Sequence, residues 1–287
     1  MEYLIWVLKG AAMGAADAVP GVSGGTMALI TGIYERFISA LASFRPSLFS
    51  YVSKKDFRGL WAAVDGTFLL CVGSGILLSL FSILNLMHLL LDVAAPTVWA
   101  FFMGVILVSL WHLFRSRRWR LSDIGLFLGG LILAGSLAVA SGVQLEVNAF
   151  TLVIGGAIAI SAMLLPGISG SFMLLLLGLY PTIVDAVHDL DLLVVFWVAL
   201  GCLIGIITFS RFLQWSLQRW HDQVMSFLIG FVAGALIKVW PWQFQGEWLL
   251  PEQYVTKSGL EAWQWVSLMS FLLGGSAILI LNKCIRK

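Results

Sequence analysis

Apolar residues run along this chain in long blocks separated by short polar stretches. The blocks fall at residues 3–19, 25–43, 66–91, 97–114 and 123–141, then 147–165, 171–187, 192–210, 223–240 and 263–281. A helix needs about 20 residues to cross a bilayer, at 1.5 Å per residue. The pattern predicts five helical segments in each half of the chain. In each half a break separates the first two. The breaks are Val19-Pro20-Gly21-Val22-Ser23-Gly24-Gly25-Thr26 and Leu165-Pro166-Gly167-Ile168-Ser169-Gly170-Ser171-Phe172. Proline lacks an N–H and disfavours helix in the residue before it, and glycine accepts angles that others avoid. Unpaired backbone is costly in hydrocarbon, so such breaks must be buried in protein or line a polar cavity.

The two breaks belong to a longer repeat. Residues 19–41 align with 165–187 without a gap, giving 9 identities in 23 positions. Pro20, Gly21, Ser23, Gly24, Gly32 and Tyr34 meet Pro166, Gly167, Ser169, Gly170, Gly178 and Tyr180. The period is 146 residues, about half the chain. A second echo pairs Phe101-Phe102-Met103-Gly104 with Phe227-Leu228-Ile229-Gly230, placing His112 opposite Lys238 near the exits of their helices.

Polar residues refine the topology. Lys9 and the Glu35-Arg36 pair bracket the first break, with arms of about ten residues, or roughly 15 Å of helix, on each side. A re-entrant hairpin leaves these charges at one interface, whereas two full spans would bury them at high cost. In the second half the hairpin follows from symmetry. The expected fold is an all-α polytopic membrane protein with an inverted-topology repeat. Residues 1–141 hold a hairpin (3–43) and helices 66–91, 97–114 and 123–141. Residues 147–287 hold a hairpin (147–187) and helices 192–210, 223–240 and 263–281, all in one membrane domain. An odd number of crossings per half inverts the second half, with the first hairpin entering from the cytoplasm and the second from outside.

Loop charges agree with this threading. Arg45, Lys54, Lys55, Arg58, Arg115, Arg117, Arg118, Arg120, Arg211, Arg219, Lys283, Arg286 and Lys287 all fall on one side, 13 of 17 Lys and Arg residues. The opposite loops carry Asp92, Glu146, Asp189, Asp191, Glu247, Glu252 and Glu261, with Lys257 the basic exception. The positive-inside rule makes the basic side cytoplasmic, with both termini there. The short N-terminal apolar run, cut off by Lys9, reads as part of the mature fold rather than as a cleaved signal. The stretch Trp240-Pro241-Trp242-Gln243-Phe244 suggests an interfacial aromatic belt, and 241–262 an external cap.

Composition supports the membrane assignment. The chain is 60% hydrophobic and 11% charged, against about 25% charged in soluble domains. Cys71, Cys202 and Cys284 lie far apart and show neither metal spacing nor a disulfide framework. Asp185, His188 and Asp189 fit a solvated loop better than a metal cluster, so no metal or cofactor is expected. There is no His-Glu-x-x-His motif and no phosphate-binding loop of the nucleotide type.

Each hairpin's second helix begins at the break, where free N–H groups and the helix dipole favour an anion, phosphate above all. Gly21, Ser23, Gly24, Gly25 and Thr26 of the first tip and Gly167, Ser169, Gly170 and Ser171 of the second are the candidate phosphate contacts. The plainer reading is a tight capped turn between packed helices. Asp17 either carries a coupled proton or accepts hydrogen bonds that hold the broken loop. Glu35 and Arg36 form either an interfacial ion pair or a gate, and Lys238 is a further candidate for coupling or gating. Tyr34 and Tyr180 fit helix anchors at the interface.

The stretch Gly14-Ala15-Ala16-Asp17-Ala18-Val19-Pro20-Gly21-Val22-Ser23-Gly24-Gly25-Thr26 resembles a bacterial membrane family linked to polyprenyl-phosphate translocation (the PopT type). Leu164 to Gly170, Gly178-Leu179-Tyr180 and Gly230 to Trp242 are similar to it as well. The resemblance implies a carrier in the bacterial cytoplasmic membrane that returns undecaprenyl phosphate from the outer to the inner leaflet for reuse in envelope synthesis. Its partners would be the polyprenyl phosphate lipid and a coupling proton or sodium ion, with no nucleic acid. Two alternatives use the same site chemistry. One is a secondary transporter of small anions. The other is a membrane undecaprenyl-pyrophosphate phosphatase, whose family motif carries Arg where this chain has Gly24 and Gly170.

Overall fold

The computed structural model describes residues 2–19, 22–117, 119–140, 142–244 and 246–285. The helices are α1 (Glu2–Asp17), α2 (Gly24–Ile30), α3 (Tyr34–Ala42), α4 (Phe49–Ser53), α5 (Phe57–Ala63), α6 (Gly66–Arg115) and α7 (Leu121–Val139). They continue as α8 (Ala149–Leu164), α9 (Gly170–Leu176), α10 (Tyr180–His188), α11 (Leu192–Arg219), α12 (His221–Ala235), α13 (Pro251–Ser258) and α14 (Gln264–Ile285). A two-stranded antiparallel ribbon, β1 (Gln243–Phe244) and β2 (Glu247–Trp248), precedes α13.

Among the described residues, five helices are long and apolar enough to cross a membrane: Gly66–Ile83, Leu89–Arg115, Leu121–Val139, Leu192–Arg219 and His221–Val239. The pair α9 and α10, bent by 114°, makes a sixth if counted as one broken span. Many large apolar side chains face outward along these helices, among them Phe81, Leu121 and Leu203. In water such a surface would aggregate; in a bilayer it meets lipid tails. The chain is an all-α polytopic membrane protein. Segments 66–91 and 97–114 run on as α6, whose course is interrupted at Ala94 (φ −145°, ψ 45°) shortly before Pro96.

The hairpins contain a bend that periodicity did not predict. Their second arms are not straight: α2 stops at Ile30 and α9 at Leu176, and a new helix starts after three intervening residues. Gly32 (φ 73°) and Gly178 (φ 70°) sit at these bends in the left-handed region. Both bends close with the same bonds. Ile33 N donates to Ala28 O and Gly32 N to Leu29 O, while Leu179 N donates to Leu174 O and Gly178 N to Leu175 O. This is the Schellman motif. The repeated Gly-x-Tyr therefore marks a second break in each half.

The chain divides into two compact units, and they are not its two halves. One holds residues 1–80 and 139–225, the other 81–138 and 226–287. Within the first unit, helices meet along glycines. A Cβ on Gly10 would strike the Val72 carbonyl, and one on Gly75 the Val7 carbonyl. A Cβ on Gly156 would strike the Val198 carbonyl, and one on Gly201 the Val153 carbonyl. Val7 and Gly10 lie 146 residues before Val153 and Gly156, so the α1–α6 and α8–α11 seams are built alike.

Within the second unit the pairing is exchanged. Gly104 meets Phe271 and Gly274 meets Phe101, joining α6 to α14. Gly130 meets Phe227 and Gly230 meets Phe127, joining α7 to α12. Close approach through small residues drives helix association where lipid removes the hydrophobic difference between neighbours.

The stretch 240–262 folds on itself as a small cap. Trp242 and Phe244 pack on Leu249, Tyr254 and Ala262. Trp240 Nε1 donates to Leu249 O (3.0 Å) and Trp242 Nε1 to Ala262 O (2.8 Å). These rings close the cap; the exposed aromatics of this region are Trp248 and Trp265.

Gly230→Ala pushes a methyl into the Phe127 backbone, and overpacking of this kind costs about 1–3 kcal/mol. Its melting temperature in detergent should fall clearly. Gly73→Ala, which meets nothing within 4 Å, should leave it unchanged or higher. Equal effects would show that the seam is not tightly packed.

Candidate functional site

Both breaks lie in the first unit, and they meet. A Cβ added at Gly25 would lie 3.0 Å from the Met163 carbonyl oxygen and 3.5 Å from that of Leu165. Tyr34 Oη donates to Leu164 O at 2.9 Å, across 130 residues. The end of α8 has carbonyls that the broken helix cannot pair, and this phenol takes one of them. Tyr34 is 2% exposed, so it is an internal brace rather than an interfacial anchor. Tyr180, its counterpart, is exposed.

The first tip is held by two charges on α1. Asp17 Oδ1 accepts from Gly24 N (2.7 Å) at the start of α2, and Lys9 Nζ donates to Thr31 O (2.7 Å) at its end. A carboxylate thus sits at the positive end of the α2 dipole and an ammonium at the negative end. Ser23 caps the same turn by accepting from Gly25 N (3.2 Å). Ser23 and Thr26 are each only 1% exposed, and Gly24 and Gly25 are buried. The first tip therefore spends its leading donors internally. Of the two roles considered for Asp17, bracing the loop is the one its geometry displays. Gly21 lies outside the described residues.

The second tip is built differently. Met163 and Gly155 stand where Asp17 and Lys9 stand in the first half, so no charge clamps α9. Its C-terminal end is closed by backbone instead. Val143 N donates to Leu176 O (2.6 Å) and Leu145 N to Leu177 O (3.2 Å). At the N-terminal end the Ser169 side chain makes no cap bond. Its hydroxyl and that of Ser171 bond each other at 2.7 Å. Among the described residues, the Gly170 and Ser171 amides find no acceptor. Gly167 turns the chain with φ 103°. Ser169 and Gly170 are half-buried and Ser171 is exposed. Among the described residues, the two amides of this tip stay unpaired and its two hydroxyls bond each other.

Glu35 and Arg36 do not pair with each other. Arg36 Nε and Nη2 grip Asp65 at 2.6 and 3.0 Å, and the guanidinium lies between the Trp6 and Phe68 rings at 4.3 and 4.5 Å. Asp65 holds a left-handed φ of 49°. Glu35 Oε1 meets His221 Nε2 at 2.9 Å. The base of the first hairpin is thus tied to the starts of α6 and α12. Lys238 lies in the second unit, in the 3-10 turn Leu236–Val239, and its carbonyl accepts from Gln243 Nε2 (2.9 Å). His188 and Asp189 bond each other at 3.1 Å while largely exposed, as a solvated loop requires. Sequence reasoning missed Lys9, Tyr34, Asp65 and His221 as structural partners. Tyr34 carried a signal as half of the repeated Gly-x-Tyr and Lys9 as a charge in an apolar region, whereas Asp65 and His221 carried none.

Asp17→Ala leaves the Gly24 amide without an acceptor in a low-dielectric setting, which costs about 1–3 kcal/mol. The variant should melt well below the parent in detergent, while Asp17→Asn, which keeps a side-chain carbonyl oxygen, should recover most of the loss. An asparagine variant no better than alanine would mean that the brace is not a hydrogen bond.

Comparison with known proteins places this architecture. Residues 13–257 match the undecaprenyl phosphate translocase-like family. A polyprenyl-phosphate transporter of Vibrio cholerae is 42% identical over 251 residues, covering 86% of this chain and 81% of the relative. One from Staphylococcus aureus is 33% identical over 264 residues, covering 84% and 88%. No solved structure matches the chain. A family match over most of the length, with the repeated motif inside it, leaves no ambiguity: this chain belongs to the undecaprenyl phosphate translocase-like family.

Proposed function

We propose that this protein carries polyprenyl phosphate, in the form of undecaprenyl phosphate, across the bacterial cytoplasmic membrane. The lipid moves from the outer to the inner leaflet for reuse, and the protein performs no hydrolysis. The observation that carries this reading is the meeting of two broken-helix tips in one unit, one of them with two backbone amides that find no acceptor among the described residues. The substrate is a long apolar chain with an anionic head. Its tail stays in lipid while only the head needs a polar path, so a mid-membrane anion site reached from each side is enough.

The tips play unequal parts in this scheme. Asp17 already fills the anion position of the first tip, so the phosphate seats on Ser169, Gly170 and Ser171 of the second. Gly167 shapes that turn, and the first tip with Ser23, Gly24, Gly25 and Thr26 forms the opposing wall. The Arg36–Asp65 and Glu35–His221 contacts hold the first hairpin as the fixed side of the path. The halves form an inverted repeat, which the matched glycine seams and the exchanged helix pairs support. With 13 of 17 basic residues in the loops and helix ends that the sequence threading puts on one side, both termini are cytoplasmic.

Purified protein in liposomes should move polyprenyl phosphate between leaflets and release no inorganic phosphate from the pyrophosphate form. Ser169→Ala with Ser171→Ala removes two hydroxyls without touching the core. Each charge-assisted bond lost weakens head-group binding by about 1.5–3 kcal/mol, so transport at low lipid concentration should fall at least tenfold. Undiminished transport would exclude the second tip as the phosphate seat, and phosphate release would favour the phosphatase.

Orientation has its own test. With the native cysteines replaced, Ser116→Cys should resist an impermeant thiol reagent in intact cells and Ser258→Cys should react. The reverse labelling would invert the threading.

A further inference from the structure

A second cluster of cations stands apart from the hairpin tips. Arg45 follows α3, and Arg211 lies in the last third of α11. Arg45 Nε donates to Ala42 O (3.4 Å) and its Nη2 to Gln214 Oε1 (3.1 Å). Arg211 Nη2 donates to Phe44 O. The two guanidiniums therefore converge on one three-residue segment, Ala42 to Phe44, and on one face of α11. Among the described residues neither has a carboxylate partner. The acids near them in sequence are engaged elsewhere: Asp56 caps α5, Asp65 holds Arg36, and Glu35 meets His221.

Capping the end of α3 explains only part of this cluster. A guanidinium offers five N–H donors, and Arg211 uses one of its five. Its Nε is sealed from solvent yet donates to nothing, and the neighbouring Ser210 Oγ is also buried and unpartnered. Orphaned buried donors are rare and point to a further acceptor. The flanks are apolar and open: Phe44 is 43% exposed, Phe212 55% and Trp215 52%. Two uncompensated forks beside exposed aromatic rings suit an oxyanion such as a phosphate, which offers pairs of oxygens to each fork, on an apolar chain.

We propose that Arg45 and Arg211, with Gln214, form a second seat for the phosphate of a membrane lipid. This seat is independent of the hairpin tips. Loop charge assigns it to the cytoplasmic surface, where a translocated head would arrive. Its ligand is a phosphate ester carrying a long apolar tail, supplied either by the transported lipid or by an anionic phospholipid of the same leaflet.

The test is native mass spectrometry of the full chain in the Ser169→Ala, Ser171→Ala background, which separates this seat from the tips. The probes are polyprenyl phosphate, phosphatidylglycerol and inorganic phosphate. R45Q with R211Q should lower retention of at least one lipid about tenfold or more. Loss confined to polyprenyl phosphate would make the seat a station for the substrate, and loss of phosphatidylglycerol would make it a phospholipid site; both support the proposal. R45Q alone, at an exposed position that leaves the Arg211 cap of α3 intact, should lower retention several-fold and decides the matter if the double variant fails to fold. Unchanged lipid retention in the folded variants, or inorganic phosphate held as tightly as the lipids, would overturn it.

Discussion

A helix that stops inside hydrocarbon leaves donors at one end and acceptors at the other, and each must find a partner. Everything around the first hairpin follows from meeting that demand. Asp17 and Lys9 lie on α1, about two turns apart, and reach the two ends of the seven-residue α2. Their charges match the dipole, so two ions that would be costly alone at membrane depth offset the exposed ends of a short helix. The second hairpin meets the same demand without charge. Tyr34 reaches across to Leu164 O, and the extended segment 142–145 supplies amides to the end of α9. One repeat is locked with ions and the other with backbone and a phenol, and among the described residues the second tip leaves the Gly170 and Ser171 amides unpaired.

Close packing makes these long-range partners available. Without a hydrophobic effect between helices in lipid, contact depends on how near the backbones can come. Gly10, Gly75, Gly156 and Gly201 let α1 and α8 lie against their neighbours in the same way. In the second unit the glycine and phenylalanine pairs join helices of opposite halves, α6 with α14 and α7 with α12. Neither half can complete its own packing there.

Membrane character, the helical segments and the breaks can be read from the chain alone. These depend on local facts: runs of apolar residues, prolines without an N–H, and glycines at repeated positions. The charges at residues 9, 17, 35 and 36 were also visible as misfits in an apolar region. Their partners are fixed by the three-dimensional packing. Lys9 meets Thr31, Glu35 meets His221, and Tyr34 meets Leu164, across 22, 186 and 130 residues. A repeat predicts two equal tips, because it compares residues with their counterparts. Whether a donor is free depends on what stands opposite it in space, and at that point the halves differ: Asp17 closes one tip, and Met163 leaves the other open.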